Sequence, residues 1–457
     1  MKRQLFFKKQ VFVLLFFSLF SFLCAQNNSW QPLGPNDFSQ PSFGTSDITS
    51  LSIAPNGTIY FGYSDYSNNG KATVKKFNGI NWETVGVEGF SDGIILQIKL
   101  TTAPDSTPYI AYQDYAHGNK TSVMKFNGTN WETVGTPGFS TGPAIFTSLV
   151  IAPGNIPYLG YSDLNNSNKA TIMKFNGNNW ETLGTGGISA GDAQYVSLAL
   201  AQNGTLYAGY RDIVNGGKAT VKKFDGANWV TVGTEGFSTD MSAAYTSLVI
   251  APNGTPYIGY SDFYDTEKAT VMKFNGSNWE TVGPAQFSDG TAVYTCLAIS
   301  PDGSPYMAYS DGTNNWKATV KKFNGTSWMT IGTPGISAGG INYYTDLSFT
   351  PDSKKIIIGY SLSTSNGIFA KYYDTAELNI SETEIQHPGI YPNPTKGELN
   401  IKTAKKIKSA TVLDLSGRII LTTSSSKVNI SFVPKGAYML NIQFSDGTTF
   451  SQKIMKE

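Results

Sequence analysis

Histidine, arginine and cysteine are nearly missing from this chain of 457 residues, and each scarcity closes off a class of chemistry. The two histidines, His117 and His387, give no basis for a histidine-rich metal centre or a serine–histidine–aspartate relay. The arginines are Arg3, Arg211 and Arg418, too few and too scattered to clamp a carboxylate from several sides. The cysteines are Cys24 and Cys296, and Cys24 lies in a segment with the marks of a leader, so no internal disulfide is expected. Charge of one sign is also lacking: 34 basic and 33 acidic residues leave a formal net charge of +1, which does not favour nucleic acid or an anionic membrane as partner. No stretch of the mature chain repeats its apolar residues with helical spacing.

What is present begins with an export signal. Met1-Lys2-Arg3, then Lys8 and Lys9, precede an apolar run from Val11 to Leu23. That is the basic and apolar pattern of a secretory signal peptide, and the run is shorter than the ~20 residues a bilayer span needs. Cleavage after Ala25 is expected, which assigns residues 1–25 to the signal peptide. Ser21-Phe22-Leu23 before Cys24 is a poor lipoprotein signal, because small residues should directly precede a lipidated cysteine.

Seven tryptophans then recur at near-constant intervals: Trp30, Trp82, Trp131, Trp180, Trp229, Trp279 and Trp328. A period near fifty residues marks one supersecondary unit stamped repeatedly. Within a unit, such as Tyr245 to Gly283, four short runs rich in Val, Ile, Tyr and Thr are separated by Asn-Gly, Pro and Asp turns. They read as an antiparallel meander of strands a, b, c and d. Strand a appears seven times, anchored by Leu51, Leu100, Leu149, Leu198, Leu248, Leu297 and Leu347. The last copy has no tryptophan strand of its own, whereas Ser29-Trp30-Gln31-Pro32-Leu33-Gly34 precedes the first strand a. An N-terminal strand d that completes the last sheet closes a ring and removes an exposed edge. The expected fold is all-β, a seven-bladed β-propeller of four-stranded blades over residues 26–374. The spacing resembles kelch and WD40 arrays in architecture only; their signature residues are absent, as is the Asp-box of sialidases.

A Tyr-x-Asp closes strand b in six units, and a lysine opens strand c six residues later. The pairs are Asp65 and Lys71, Asp114 and Lys120, Asp163 and Lys169, Asp212 and Lys218, Asp262 and Lys268, and Asp311 and Lys317. A ring of calcium ligands or glycan contacts is one reading. The expected one is a cross-strand ion pair at each corner, because the seventh unit loses both charges together, to Leu362 and Ile368. The tryptophans are expected to seal the grooves between blades rather than form a sugar-stacking rim.

Function should sit on the face carrying the d–a and b–c loops, which vary between copies while the opposite turns stay nearly uniform. Three residues before the strand-a leucines lie Phe146, Tyr195, Tyr245, Tyr294 and Tyr344, with Ile48 and Gln97 in the other units. These aromatic residues should ring the channel mouth, either stacking on a ligand or plugging the funnel. Lys99 and Asp346 break the Ser/Cys pattern one residue before the leucine, and Arg211 replaces the serine of Tyr-Ser-Asp. Such breaks in symmetry are candidate ligand-binding positions. Near-identical copies argue against a pair of carboxylates in different environments, which a glycosidase requires. Sialidase-type propellers use three arginines, and the repeat region holds Arg211 alone. No catalytic residue, metal site or cofactor is expected.

Beyond a polar stretch at 375–389, residues 390–457 carry Tyr391-Pro392-Asn393-Pro394, Gly417-Arg418, Lys435-Gly436-Ala437-Tyr438 and a closing Lys453-Ile454-Met455-Lys456. By its alternating apolar residues and turn glycines this segment is a small β-sandwich. In the order of its motifs it resembles the type A C-terminal sorting domain of the Bacteroidetes type IX secretion system, with Ala437 where isoleucine or valine is more usual. The resemblance implies passage across both membranes of a Gram-negative cell, the type IX machinery as partner, and release or retention at the cell surface. The whole reads as a monomeric, secreted or surface-held, non-catalytic binding or adhesion propeller for a glycan or protein ligand. The alternative is a polysaccharide-degrading hydrolase or lyase on the same scaffold.

Overall fold

The tryptophan period resolves into sheets of the expected kind. The structure is a computed structural model and describes residues 29–35, 49–238, 242–262, 267–363, 367–375, 388–403, 405–414, 416–445 and 449–457, with the side chains of 342–344 excepted. The expected signal peptide, Ile48, His387 and most of the 375–389 stretch lie outside the described residues.

Six blades each run a–b–c–d in chain order as a four-stranded antiparallel sheet. Blade 4 is representative, with strand a at Ala193–Leu200, b at Leu206–Asp212, c at Lys218–Phe224 and d at Trp229–Thr231. The seventh sheet takes Ile341–Phe349, Lys355–Leu362 and Ile368–Asp374 from the end of the repeat region. Gln31–Pro32 joins it as the fourth strand, with Gln31 opposite Tyr372 and Pro32 opposite Lys371. Proline is tolerated there because an outermost strand does not need its N–H for a further neighbour. Ring closure by the N-terminal strand is therefore as expected.

All seven recurring tryptophans share one contact. Each indole Nε1 donates to a backbone carbonyl of the preceding blade at 2.7–2.9 Å: Trp30 to Ile331, Trp82 to Leu33, Trp131 to Val85, Trp180 to Val134, Trp229 to Leu183, Trp279 to Val232 and Trp328 to Val282. A phenylalanine from the d–a loop often covers the ring, as Phe139 does on Trp180 with centroids 4.3 Å apart and planes 3° apart. With their polar edge bonded and their faces covered, these indoles hold blades together and are not open stacking platforms. The glycine after each short strand d belongs to the same device. Gly135 has φ +79°, and a Cβ there would meet the Trp180 ring at 3.0 Å.

The C-terminal segment forms two sheets. Gly389–Tyr391, Glu398–Lys402 and Lys427–Asn429 make one, and Ile407–Leu413, Ile419–Thr423, Gly436–Phe444 and Thr449–Lys456 make the other. Leu399, Ile401, Val412, Val428, Leu440, Ile442 and Ile454 close into one shared core, as a small sandwich requires.

Candidate functional site

The innermost strands set the geometry of the channel. In blades 2 to 6 the residue three before the strand-a leucine has positive φ: Gln97 at 49°, Phe146 at 55°, Tyr195 at 52°, Tyr245 at 54° and Tyr294 at 55°. The a–b pairing shifts register at the same place, as between Gln194 and Ser197. Each strand thus carries a β-bulge, which re-aims the side chain it contains. Bulky residues are rare in this backbone region. The local cost is offset in part by neighbours: the hydroxyls of Thr246, Thr295 and Thr345 donate to the carbonyls of Tyr195, Tyr245 and Tyr294 on the preceding blades.

The bulges bring the expected aromatic residues together. Ring centroids lie 4.7 Å apart for Phe146–Tyr195, 4.9 Å for Tyr195–Tyr245 and 4.7 Å for Tyr245–Tyr294, all tilted. The result is an arc around the channel mouth, continued at Gln97, whose Oε1 accepts the Phe146 N–H. The side chain of Tyr344 lies outside the described residues. Arg211 stands at the end of strand b in blade 4, where its Nη1 donates to Gln194 Oε1 at 2.9 Å. Burial raises the Tyr195 phenol above its ordinary range, against the opposing charge of Arg211 and a hydrogen bond with Tyr245.

Two residues deeper runs a belt formed by Ser50, Lys99, Ser148, Ser197, Ser247, Cys296 and Asp346, all lining a cavity of about 430 Å³. The serines accept the leucine N–H of the next blade: Ser50 from Leu100, Ser148 from Leu198, Ser197 from Leu248 and Ser247 from Leu297, at 2.9–3.1 Å. Asp346 takes the same role with Oδ2, which accepts Leu51 N–H at 2.7 Å. Its Oδ1 lies 3.6 Å from Lys99 Nζ. Lys99 and Asp346 are the charged residues among those lining the cavity, and they flank blade 1 from either side. The Asp346 carboxylate raises the Lys99 pKa, against the opposite effect of burial. Burial pushes the neighbouring Cys296 thiol up to about 12, and the Asp346 charge adds to that.

The corner aspartates differ from expectation. Asp65 faces Lys71 in register, as do the pairs of blades 2, 3, 4 and 6, yet among the described residues none of the six aspartates forms an ion pair with its lysine. The carboxylates are buried and bind donors of the surrounding turns and loops instead. Asp65 caps the Tyr66–Asn68 turn by accepting Ser67 N–H at 3.1 Å, and also accepts from Asn68 and from the Thr73 hydroxyl at 2.8 Å. Asp114 accepts from Ala116 N–H, His117 and Ser122; Asp163 accepts from Asn165 N–H and Thr141. Asp212 is bound by Asn215 and Thr220, Asp262 by Gln286, and Asp311 by Thr313, Asn314 and Thr319. Pairing with lysine would require stripping water from an ammonium as well, whereas hydroxyl and amide donors satisfy the carboxylate without that cost. The Thr73 hydroxyl in turn accepts Gly89 N–H at 2.9 Å, which stitches the b–c turn to the d–a loop. Blade 7 replaces the set with Leu362, Ile368 and Ala370, all buried apolar residues.

Sequence reading named the b–c loops as variable but missed what they present. Tyr66, Tyr115, Leu164, Val214 and Trp316 are exposed in these turns. Their common signal is position, immediately or shortly after an aspartate cap that holds the turn.

Residues 389–457 match the family model of the secretion system C-terminal sorting domain. This segment directs the chain to export by type IX secretion, to the cell surface or the medium, and places its source among the Bacteroidetes. No curated protein matches the sequence. Among solved structures, the BP39L lectin from Burkholderia pseudomallei is similar over 73% of this chain and 97% of its own, at 13% identity and a TM-score of 0.55. A fungal alcohol oxidase of the AA5 family, in complex with copper, is similar over 94% of this chain and 99% of its own, at 14% identity and a TM-score of 0.50. An α-L-arabinanase from Penicillium chrysogenum covers 76% and 98%, at 13% identity and a TM-score of 0.46. At these identities the likeness is one of fold.

Proposed function

We propose that the propeller is a non-catalytic binding module, exported to the cell surface or medium, which engages a glycan or protein ligand on the face bearing the d–a and b–c loops. The observation that carries this reading is the arc of Phe146, Tyr195, Tyr245 and Tyr294, held in backbone conformations that such residues rarely adopt. Backbone strain kept at a cavity mouth is a mark of a binding site. The cavity itself offers one carboxylate, Asp346, already engaged by Leu51 N–H and Lys99. A two-carboxylate hydrolysis needs an acid and a base flanking the scissile bond. The corner aspartates are committed to hydrogen bonds within their own turns. A lectin among the structures of similar fold is consistent with this reading.

The test is a binding screen with the full-length chain against a glycan array and isolated surface proteins, with the glycans assayed for turnover. Retention of one ligand class, weakened at least tenfold by the double substitution Tyr245→Ala and Tyr294→Ala, is the expected outcome. Release of shorter saccharides with multiple turnover would replace this reading by the enzymatic one.

A further inference from the structure

From the channel below the aromatic arc, and resting on the reading just proposed, we infer that the belt position carrying Lys99 and Asp346 is a subsite for a neutral sugar, engaged through two hydroxyls on adjacent carbons.

The belt makes the departure visible. Blades 1, 3, 4 and 5 use serine at this position, and in each the hydroxyl oxygen accepts the next blade's leucine N–H, leaving a single small neutral group toward the channel. Asp346 performs that scaffold task with one oxygen and retains a second. Lys99 offers a nitrogen with three N–H donors where the other blades offer a small side chain, and bonding the adjacent blade does not require an ammonium. The two groups stand 3.6 Å apart, beyond a well-formed hydrogen bond, and both are partly solvent-accessible inside the channel, at 37% and 18%. One N–H donor and one carboxylate acceptor therefore point into the same enclosed space with hydrogen-bonding capacity left over.

That pairing selects a ligand by charge. An anion meeting Lys99 would also meet Asp346, and a cation meeting Asp346 would meet Lys99. A zwitterion would have to strip water from both of its own charges to replace an existing attraction. A hydroxyl both donates and accepts, so one can accept from Lys99 while its neighbour donates to Asp346, without desolvating any charge on the ligand. The arc lies two residues up strand a, about 6–7 Å along the strand. A ligand held at the belt thus lies below the aromatic mouth of the channel. The cavity, at about 430 Å³, lies within the range of small-ligand pockets.

Saturation-transfer NMR and calorimetry with the full-length chain test this directly, using methyl glycosides of neutral hexoses, deoxyhexoses and pentoses, and methyl glycosides of uronic acids as charged comparators. A neutral glycoside is expected to bind more tightly than its uronate counterpart. The double substitution Lys99→Ser and Asp346→Ser restores the residue used in four other blades, and is expected to keep the melting temperature while weakening binding at least tenfold. Asp346→Asn keeps an acceptor for Leu51 N–H, and should weaken binding on its own if the double variant fails to fold. Absence of binding by every neutral glycoside, preference for uronates, or affinity unchanged in folded variants would each overturn the subsite. If a neutral glycoside binds through Tyr195 and Tyr245 but ignores Lys99 and Asp346, the subsite fails while the surface-binding reading stands. Turnover of the glycosides would instead refute the non-catalytic reading.

Discussion

Asp65, at 4% exposure, stands for a set of carboxylates whose burial is tolerable because each has donors close at hand. Removing Asp65 leaves its turn without the cap and the Thr73 hydroxyl without its acceptor. Asp65→Ala is expected to cost about 2–3 kcal/mol, the usual range for hydrogen bonds to a buried charge, with Asp65→Asn costing less because the acceptor geometry survives. Chemical denaturation of the two variants would rank them. Other buried residues hold protons in place of charges. Burial raises the phenols of Tyr112, Tyr161, Tyr210, Tyr309 and Tyr360 above their ordinary 10.0, and moves the Cys296 thiol from 9.0 to about 12. The folded chain therefore keeps protons that the unfolded chain releases. Stability should be undiminished by these groups below about pH 9 and fall progressively as the pH rises from there through 12. Melting temperatures across that range would show it, and a flat profile would contradict the burial of these groups. Cys296 should also resist alkylation in the native state at pH 8, since the reactive species is the thiolate; mass spectrometry after iodoacetamide, with and without denaturant, reads this out.

At the scale of the element, the d strand is three residues long and owes its place to one indole. Trp131→Ala would remove the bond to Val85 O and the stacked contact with Phe90, at 4.5 Å. Loss of a buried aromatic ring typically costs 3–5 kcal/mol, so a clear drop in the denaturation midpoint is expected, with native binding retained at low temperature. Trp131→Phe should recover part of the loss, since packing returns without the N–H. Elements of this kind were legible in the sequence because they repeat: a strand of three residues has no periodicity of its own, but seven tryptophans at one spacing do. The corner was less legible. Asp65 and Lys71 do stand opposite one another, as their spacing requires, but spacing does not report depth, and it is depth that hands the carboxylate to Thr73 and Ser67. The bulge at Tyr195 was also beyond reach, because positive φ at an aromatic residue leaves no compositional trace. The position of the ring three residues before the leucine was readable, while its inward turn depends on tertiary contacts such as Thr246 to the Tyr195 carbonyl.

At the scale of the molecule, the ring holds because its first strand d is the last blade's edge. Trp30 reaches Ile331 across 301 residues of sequence. Truncation of the chain through Gly34 would uncover the strand Ile368–Asp374 and leave the groove before blade 7 without its indole. Such a variant is expected to melt at a lower temperature and to associate through the bared edge, which size-exclusion chromatography would detect as oligomers. A monomeric truncation of unchanged stability would mean that the closing strand is dispensable.

The split blade also imposes an order in time. Six sheets can assemble as their own residues become available, each from neighbours in sequence, but the seventh has to wait until the chain has been made as far as Asp374 and then recover a segment left behind near the start. Until that meeting, the growing particle is an open crescent with an unsatisfied flank. Anything that grips the early segment in the meantime, whether a chaperone or a stray strand from another molecule, decides whether the crescent becomes a disc.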